Sequence, residues 1–423
     1  MSDPGPFGPD GPFGMNFFAD LNRLFAQQGP ISWDVTRQIA LSVVGAEGSE
    51  PNVDPVERMR VEQLARVAEL QVTAATGLSV DRHGPVSVVP VTRAAYVQNA
   101  LEAYRPLFEG LGRSLAAEAG APEVLEASAD DPSGMFGGLM QLLNPMLLGM
   151  TAGSLLGHLG LRDLAMYDLP VPRPATTELQ LVSANLGAFE AEHSLSGDDL
   201  RLWLCLDLLT RHAVLSVPHI GQALGDLLSD YAALFRPDPS TLEDKLGSLD
   251  MSTLSDPSSI QDLFGDPEVL LGAMQSDAQR LILPRLETLV AVVLGYADHQ
   301  VDQLAAKMLG AGGQSIGQAV RARRFEQDQA DRFVERLLGL DVTEGLISRG
   351  RDFVTGIIDR AGPDALGRLW SDDELPTAAE LGAPGLWLAR VGLGGNLEDD
   401  TALRGDLSFD IPDDISELDD LDD

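Results

Sequence analysis

Two oppositely charged residues stand in the middle of an otherwise apolar stretch. Asp207 and Arg211 are four apart in LRLWLCLDLLTRHAVL, residues 200–215. That spacing puts both on one face of a helix, a single turn apart. Leu200 and Leu204 share the stripe. A helix that is apolar almost all round is enclosed by its domain. A buried acid and a buried base are costly unless they meet each other or a ligand. A buried Asp207–Arg211 ion pair is therefore expected, with the acid before the base, the better orientation on a helix. His212 and His219 follow, seven apart around the end of the stretch, and Asp298 and His299 lie in a second apolar run. His212, His219, Asp298 and His299 are candidates for a zinc site, the alternative being satisfied structural histidines. Ser216 near His219 has the composition of a nucleophile pair, but no third group or oxyanion donor can be assigned to it.

The elements that must position these groups read as mostly helical. Ser196 is a candidate N-cap for the central helix, with Asp198 and Asp199 in its first turn, where the helix dipole favours acids. The second apolar helix spans 283–308 and contains LVAVVLGYADHQVD. Further helices are expected at 15–28, 52–75, 92–120, 222–234, 319–338 and 350–370, with a last segment over 374–391. In 319–338, Phe325, Phe333, Leu337 and Leu338 are expected to face the core, and Arg321, Arg323 and Arg324 to pair with acids on a solvated face. Strands are expected at 84–91 and 178–185, and an extended linker at 168–173. Residues 132–161 carry no charge and repeat glycine at 149, 153 and 157. Their length would cross a bilayer, but Gln141, Asn144, Pro145 and His158 and the lack of a strongly basic flank favour two short core helices broken at Asn144-Pro145.

The composition narrows the function classes. The chain has 423 residues, 44% of them hydrophobic, so one large core can form. Its net charge of −36 argues against nucleic acid and anionic membranes as partners. Cys205 is the single cysteine, which excludes an internal disulfide and thiolate-rich metal sites. The first residues, MSDPGPFGPDGPFG, have neither a basic nor an apolar signal region, so a cytoplasmic location is expected. Residues 1–13 read as a disordered Gly/Pro-rich start, 14–395 as a single helical domain with a mobile segment at 237–267, and 396–423 as a disordered acidic tail.

Five stretches in this order resemble one family: residues 17–40, 153–173, 200–219 (LRLWLCLDLLTRHAVLSVPH), 295–302 (GYADHQVD) and 369–391 (LWSDDELPTAAELGAPGLWLARV). Over roughly 15–391 the chain resembles the actinobacterial zincin-like metallopeptidases, labelled zinc-dependent metalloproteases or hydrolases. The resemblance implies a mainly α fold with a small β element. It also implies H-E-x-x-H on the helix before a V-P-H or V-P-W turn, and a later glutamate before G-Y or G-W. Two histidines at i and i+4 would hold zinc, and the intervening glutamate would polarise water. Here Val217-Pro218-His219 aligns the motif with Asp207-Leu208-Leu209-Thr210-Arg211, or one position later with Leu208 to His212. In both registers the first histidine and the glutamate are missing, and Leu294 stands at the later glutamate position. The expectation is a non-catalytic pseudopeptidase without catalytic residues, bound metal or cofactor, which binds a protein or peptide partner. The alternative is an active zinc-dependent hydrolase with a rearranged site. A membrane-associated factor is a third reading and rests on 132–161 alone.

Overall fold

A computed structural model describes residues 29–118, 132–235, 276–325, 337–371 and 375–393, apart from positions 47, 174 and 341. The expected tails at 1–13 and 396–423, the helix at 15–28 and the mobile segment at 237–267 lie outside the described residues. In chain order the elements are α1 (Trp33–Gly45), α2 (Pro55–Thr76), β1 (Ser87–Val91), α3 (Arg93–Glu118), α4 (Pro132–Arg162), β2 (Glu178–Val182), α5 (Ser183–Glu192), α6 (Gly197–Leu215) and α7 (Pro218–Ala233). Then come α8 (Asp277–Leu309), α9 (Ala311–Phe325), α10 (Glu344–Ala361), a 3-10 helix (Pro363–Trp370), α11 (Ala378–Gly382) and α12 (Pro384–Arg390). The fold is mainly helical with one small sheet.

The helix ends carry the expected chemistry in several places. Asp54 accepts from the Val56 N–H and Pro55 opens α2, while Gly77 closes it in the left-handed conformation. A reciprocal Ser276–Gln279 capping box starts α8. Ser196 occupies the N-cap position of α6, but its side chain caps nothing.

β1 and β2 pair in parallel, Ser87 opposite Glu178 through Val91 opposite Val182. On the far edge of β2, Ala165 bridges Leu181 in antiparallel fashion. Both strands are shorter than expected. Asp81 accepts from the Val86 N–H, and a tight turn precedes β1; after Val182 the chain enters α5 directly.

The expected break at Asn144-Pro145 does not occur: α4 runs through Pro145 as one helix. Tertiary packing outweighs the lost hydrogen bond. The Pro145 carbonyl also accepts from Ser32 N–H, just ahead of α1. The glycine stripe explains the close crossing. A Cβ at Gly149 would lie 2.7 Å from the Ser32 carbonyl, at Gly153 2.6 Å from the Thr36 carbonyl, and at Gly157 2.6 Å from Val43 Cβ. What reads as a membrane motif is thus the seat of α1. Among the described residues no helix is long and apolar enough to cross a membrane.

α6 runs through the core. Every residue from Leu200 to Leu215 is buried, and α2, α7, α8 and α9 pack around it. Arg201 at its start is held by Glu57 at 2.6 Å and Glu190 at 2.8 Å. α8 crosses α10 at Gly295 and Gly350, where any side chain would meet the opposite backbone. Leu294, one residue earlier, is thereby fixed toward the interior.

Candidate functional site

The site begins with the acid–base pair of α6. Arg211 Nε donates to Asp207 at 3.0 Å, and both side chains are buried. The pair is not alone. Asp298 of α8 lies 3.9 Å from the far side of the Arg211 guanidinium. Arg324, near the end of α9, donates to both Asp298 oxygens at 3.2 and 3.3 Å and reaches Asp207 at 4.0 Å. Two acids and two bases therefore alternate around a closed ring contributed by three helices. Arg211 Nη1 also donates to the Tyr167 carbonyl at 2.8 Å.

Alternation is what makes four charges tolerable in the core. Each carboxylate faces two guanidinium groups, and each guanidinium two carboxylates, which offsets desolvation. The balance differs between the two acids. Burial pushes the Asp207 carboxyl up, and Arg211 and Arg324 reverse this only in part. Burial acts on Asp298 too, but Arg324, Arg211 and Arg321 outweigh it and hold this carboxyl below the usual range.

Arg324 overturns an expectation. It does not lie on a solvated face but enters the core with its side chain 14% exposed. α9 turns this position toward α8, where it donates to both Asp298 oxygens. Arg321 pairs with Asp302 at 2.9 Å, and Phe325 stays 38% exposed rather than facing the core.

The ring does not fit a zinc ion. Zinc takes lone pairs from imidazole, thiolate or carboxylate, and a guanidinium has none to give. Arg211 occupies the second ligand position of the first register, and Arg324 adds a second cation beside it. Leu208 and Leu294 supply no carboxylate.

The other candidate ligands are not brought together. His212 is buried, with Nδ1 3.2 Å from the Tyr167 hydroxyl and Ser216 Oγ 3.3–3.4 Å from its ring nitrogens. It also hydrogen-bonds the Val80 main chain, and burial drops its pKa to about 4. Ser216 thus partners His212, and no carboxylate is hydrogen-bonded to that imidazole among the described residues. His219 sits in the first turn of α7, which opens at Pro218 rather than at Gln222. His299 is half-buried, and burial, opposed by Asp302 and helped by Arg351, holds its pKa below the usual value. Among the described residues no group of three or more His, Cys, Asp or Glu side chains could hold a metal ion.

A cleft opens above the charged ring. Arg162, Asp163, Asp168, Leu294, Arg323 and Arg324 line it, and its cavity volume is about 50 Å³. Arg324 belongs to both the cleft wall and the ring. Asp163 is buried and accepts a short hydrogen bond from the Tyr96 hydroxyl. Burial, with Asp168 adding to it, raises its pKa to about 7. Asp168 accepts from the Leu164 N–H at 2.6 Å. Of these groups the sequence marks Leu294 as a site position, and it reads Arg323 and Arg324 as part of a solvated face. Asp163, Asp168 and Arg162 sit around a helix end and a loop, with no spacing that announces them.

A family model described as zincin-like metallopeptidase matches residues 31–388. No curated protein matches the chain. Among solved structures, a protein from Chloroflexus aurantiacus described as a proposed hydrolase with a novel fold is similar at 21% identity. The similarity covers 86% of this chain and 100% of that one, with a TM-score of 0.52.

Proposed function

The chain belongs to the zincin-like metallopeptidase family, and from that premise we propose that it is a non-catalytic member, a scaffold that binds a protein or peptide partner. The observation that carries this reading is the ring of Asp207, Arg211, Asp298 and Arg324. Two of its members, Asp207 and Arg211, stand where the first register of the resemblance places the histidine ligands, and two of its four members are permanent cations. Leu208 in place of the glutamate leaves no group there to polarise water. The cleft beside Leu294 persists, so a surface for a partner remains while the machinery for cleavage does not.

The test is metal analysis of full-length protein purified without chelator, alongside cleavage of a mixed peptide library. Substoichiometric zinc and no chelator-sensitive cleavage are expected. One tightly held zinc per chain, with cleavage that chelator abolishes, would establish an active hydrolase with a rearranged site instead.

A further inference from the structure

We propose that α2 pairs with its own copy in a second molecule, antiparallel across a twofold axis that passes beside Gln63. The pairing uses a surface apart from the cleft and holds whether or not the chain cleaves peptides.

The helix is apolar on two sides. Val61, Ala65, Ala68 and Val72 are buried, and α6, β1 and α8 pack on α2. On the side opposite these residues stand Val56, Met59, Val67 and Leu70, exposed from 44% at Val67 to 70% at Leu70. Nine large apolar side chains are exposed among the described residues. The other five lie singly on separate segments, whereas these four form one row. Scattered exposed apolar side chains are ordinary, but an aligned row marks a contact surface.

The row fits a reversed copy of itself. Val56 and Leu70 stand seven residues before and after Gln63, and Met59 and Val67 stand four before and after it. An antiparallel copy therefore sets Val56 on Leu70, Met59 on Val67 and Gln63 on Gln63. Such self-matching is what a twofold interface requires. A polar side chain at the centre of the seam fixes its register.

The charges agree with the same axis. Arg58, Glu62, Arg66 and Glu69 run along one flank as base, acid, base, acid. Read from the other end the order is inverted, so Glu62 faces Arg66 and Arg58 faces Glu69 across the axis. Within one molecule Arg66 already meets Glu62 at 2.5 Å on the exposed surface, and the second copy lays a reversed pair against it. α2 carries three arginines and three glutamates, whereas the whole chain has 29 basic residues to 65 acidic ones. Two copies thus meet there with least of the repulsion that the rest of the surface exerts.

The size of the contact sets its strength. α2 has 22 residues, about 33 Å at about 1.5 Å per residue. A strip about 10 Å wide covers roughly 330 Å² per copy, under half of the roughly 800 Å² per partner in a stable interface. The dimer is therefore weak and reversible.

The experiment is sedimentation velocity of the full chain from micromolar to millimolar concentration, alongside point variants. A concentration-dependent shift from monomer to dimer is expected. Leu70→Glu should weaken association at least tenfold with an unchanged circular dichroism spectrum, because the fold has no stake in that side chain. Glu62→Arg crowds arginines around the axis and should also weaken it. The exchange Glu62→Arg with Arg66→Glu should restore it, since opposite charges again face each other. Gln63→Cys should form an intermolecular disulfide under mild oxidation. Met59→Cys should not, because that position and its mate lie eight residues apart along the axis, about 12 Å, too far for a disulfide. A chain that stays monomeric at millimolar concentration, leaving α2 to some other partner, would overturn the proposal. So would a dimer indifferent to Leu70→Glu, an exchange that fails to restore what Glu62→Arg removes, or equal cross-linking at positions 59 and 63.

Discussion

Arg211 meets Asp207 at 3.0 Å within one turn of the buried stretch of α6, and neither residue has water to fall back on. Removing one partner leaves the other charged and stranded in the core. Arg211→Met or Asp207→Leu alone should each destabilise the protein by about 3–5 kcal/mol. The double variant should cost clearly less than the two added together, since Asp298 and Arg324 still satisfy each other. Urea unfolding of the four species checks this. Additive losses would mean that the two side chains do not depend on each other.

The α1–α4 crossing gives a prediction of a different kind. A Cβ at Gly153 would lie 2.6 Å from the Thr36 carbonyl and 2.8 Å from Ile39 Cβ. The nearest of these is backbone, which cannot rotate away. Gly153→Ala should therefore force the helices apart and cost about 1–3 kcal/mol, although alanine is the better helix former. A lowered urea midpoint with an unchanged slope is the expected reading. A gain in stability would show that the crossing is looser than described.

These two sites differ in how far the sequence reveals them. Asp207–Arg211 is legible from spacing, because opposite charges one turn apart on an apolar helix have few other solutions. Their partners are not, since Asp298 and Arg324 arrive from helices whose docking no local pattern encodes. Arginines 321, 323 and 324 read as a surface cluster because three cations in four residues look solvated. Only tertiary packing turns Arg324 inward. The glycine stripe of α4 was legible as a close approach, but its partner, α1, was not. The helix start at Pro218 and the continuity through Pro145 escaped for a related reason: proline opens the first helix and is tolerated within the second because of what surrounds it. Helix existence and the apolar core could be read from periodicity, whereas the cleft depends on loop residues without any.

Asp163 and His212 set opposite pH slopes. Burial lifts Asp163 from an ordinary 3.8 to about 7, so between those values the unfolded chain has released a proton that the folded one retains. Its contribution is full at acid pH and is lost as pH rises toward 7. Burial holds His212 at about 4 against an ordinary 6.5, so the unfolded chain takes up the proton first. Its contribution is full above 6.5 and is lost as pH falls toward 4. Relative to the unaltered protein, Asp163→Asn should make stability rise with pH between about 4.5 and 6.5, and His212→Gln should make it fall. Each slope approaches about 1.4 kcal/mol per pH unit at most. Urea midpoints at the two pH values read both signs, and parallel profiles for all three proteins would refute the assignment.

Cys205 reports on the core as a whole. It lies fully buried on α6, two residues before Asp207, and burial pushes its thiol up to about 12. The thiolate is the reactive species, so neither access nor ionisation favours reaction in the folded protein. A thiol reagent should label less than a tenth of the chains in native buffer over the time that labels all of them in concentrated urea. Across intermediate urea the labelled fraction should follow the unfolding transition seen by circular dichroism, because α6 cannot open without dismantling the packing of α2, α7, α8 and α9. In Arg211→Met the labelling transition should move to lower urea together with the spectroscopic one. Rapid labelling in native buffer, or labelling that precedes loss of helix, would mean that α6 opens on its own and that the charged ring is not the fixed centre of the fold.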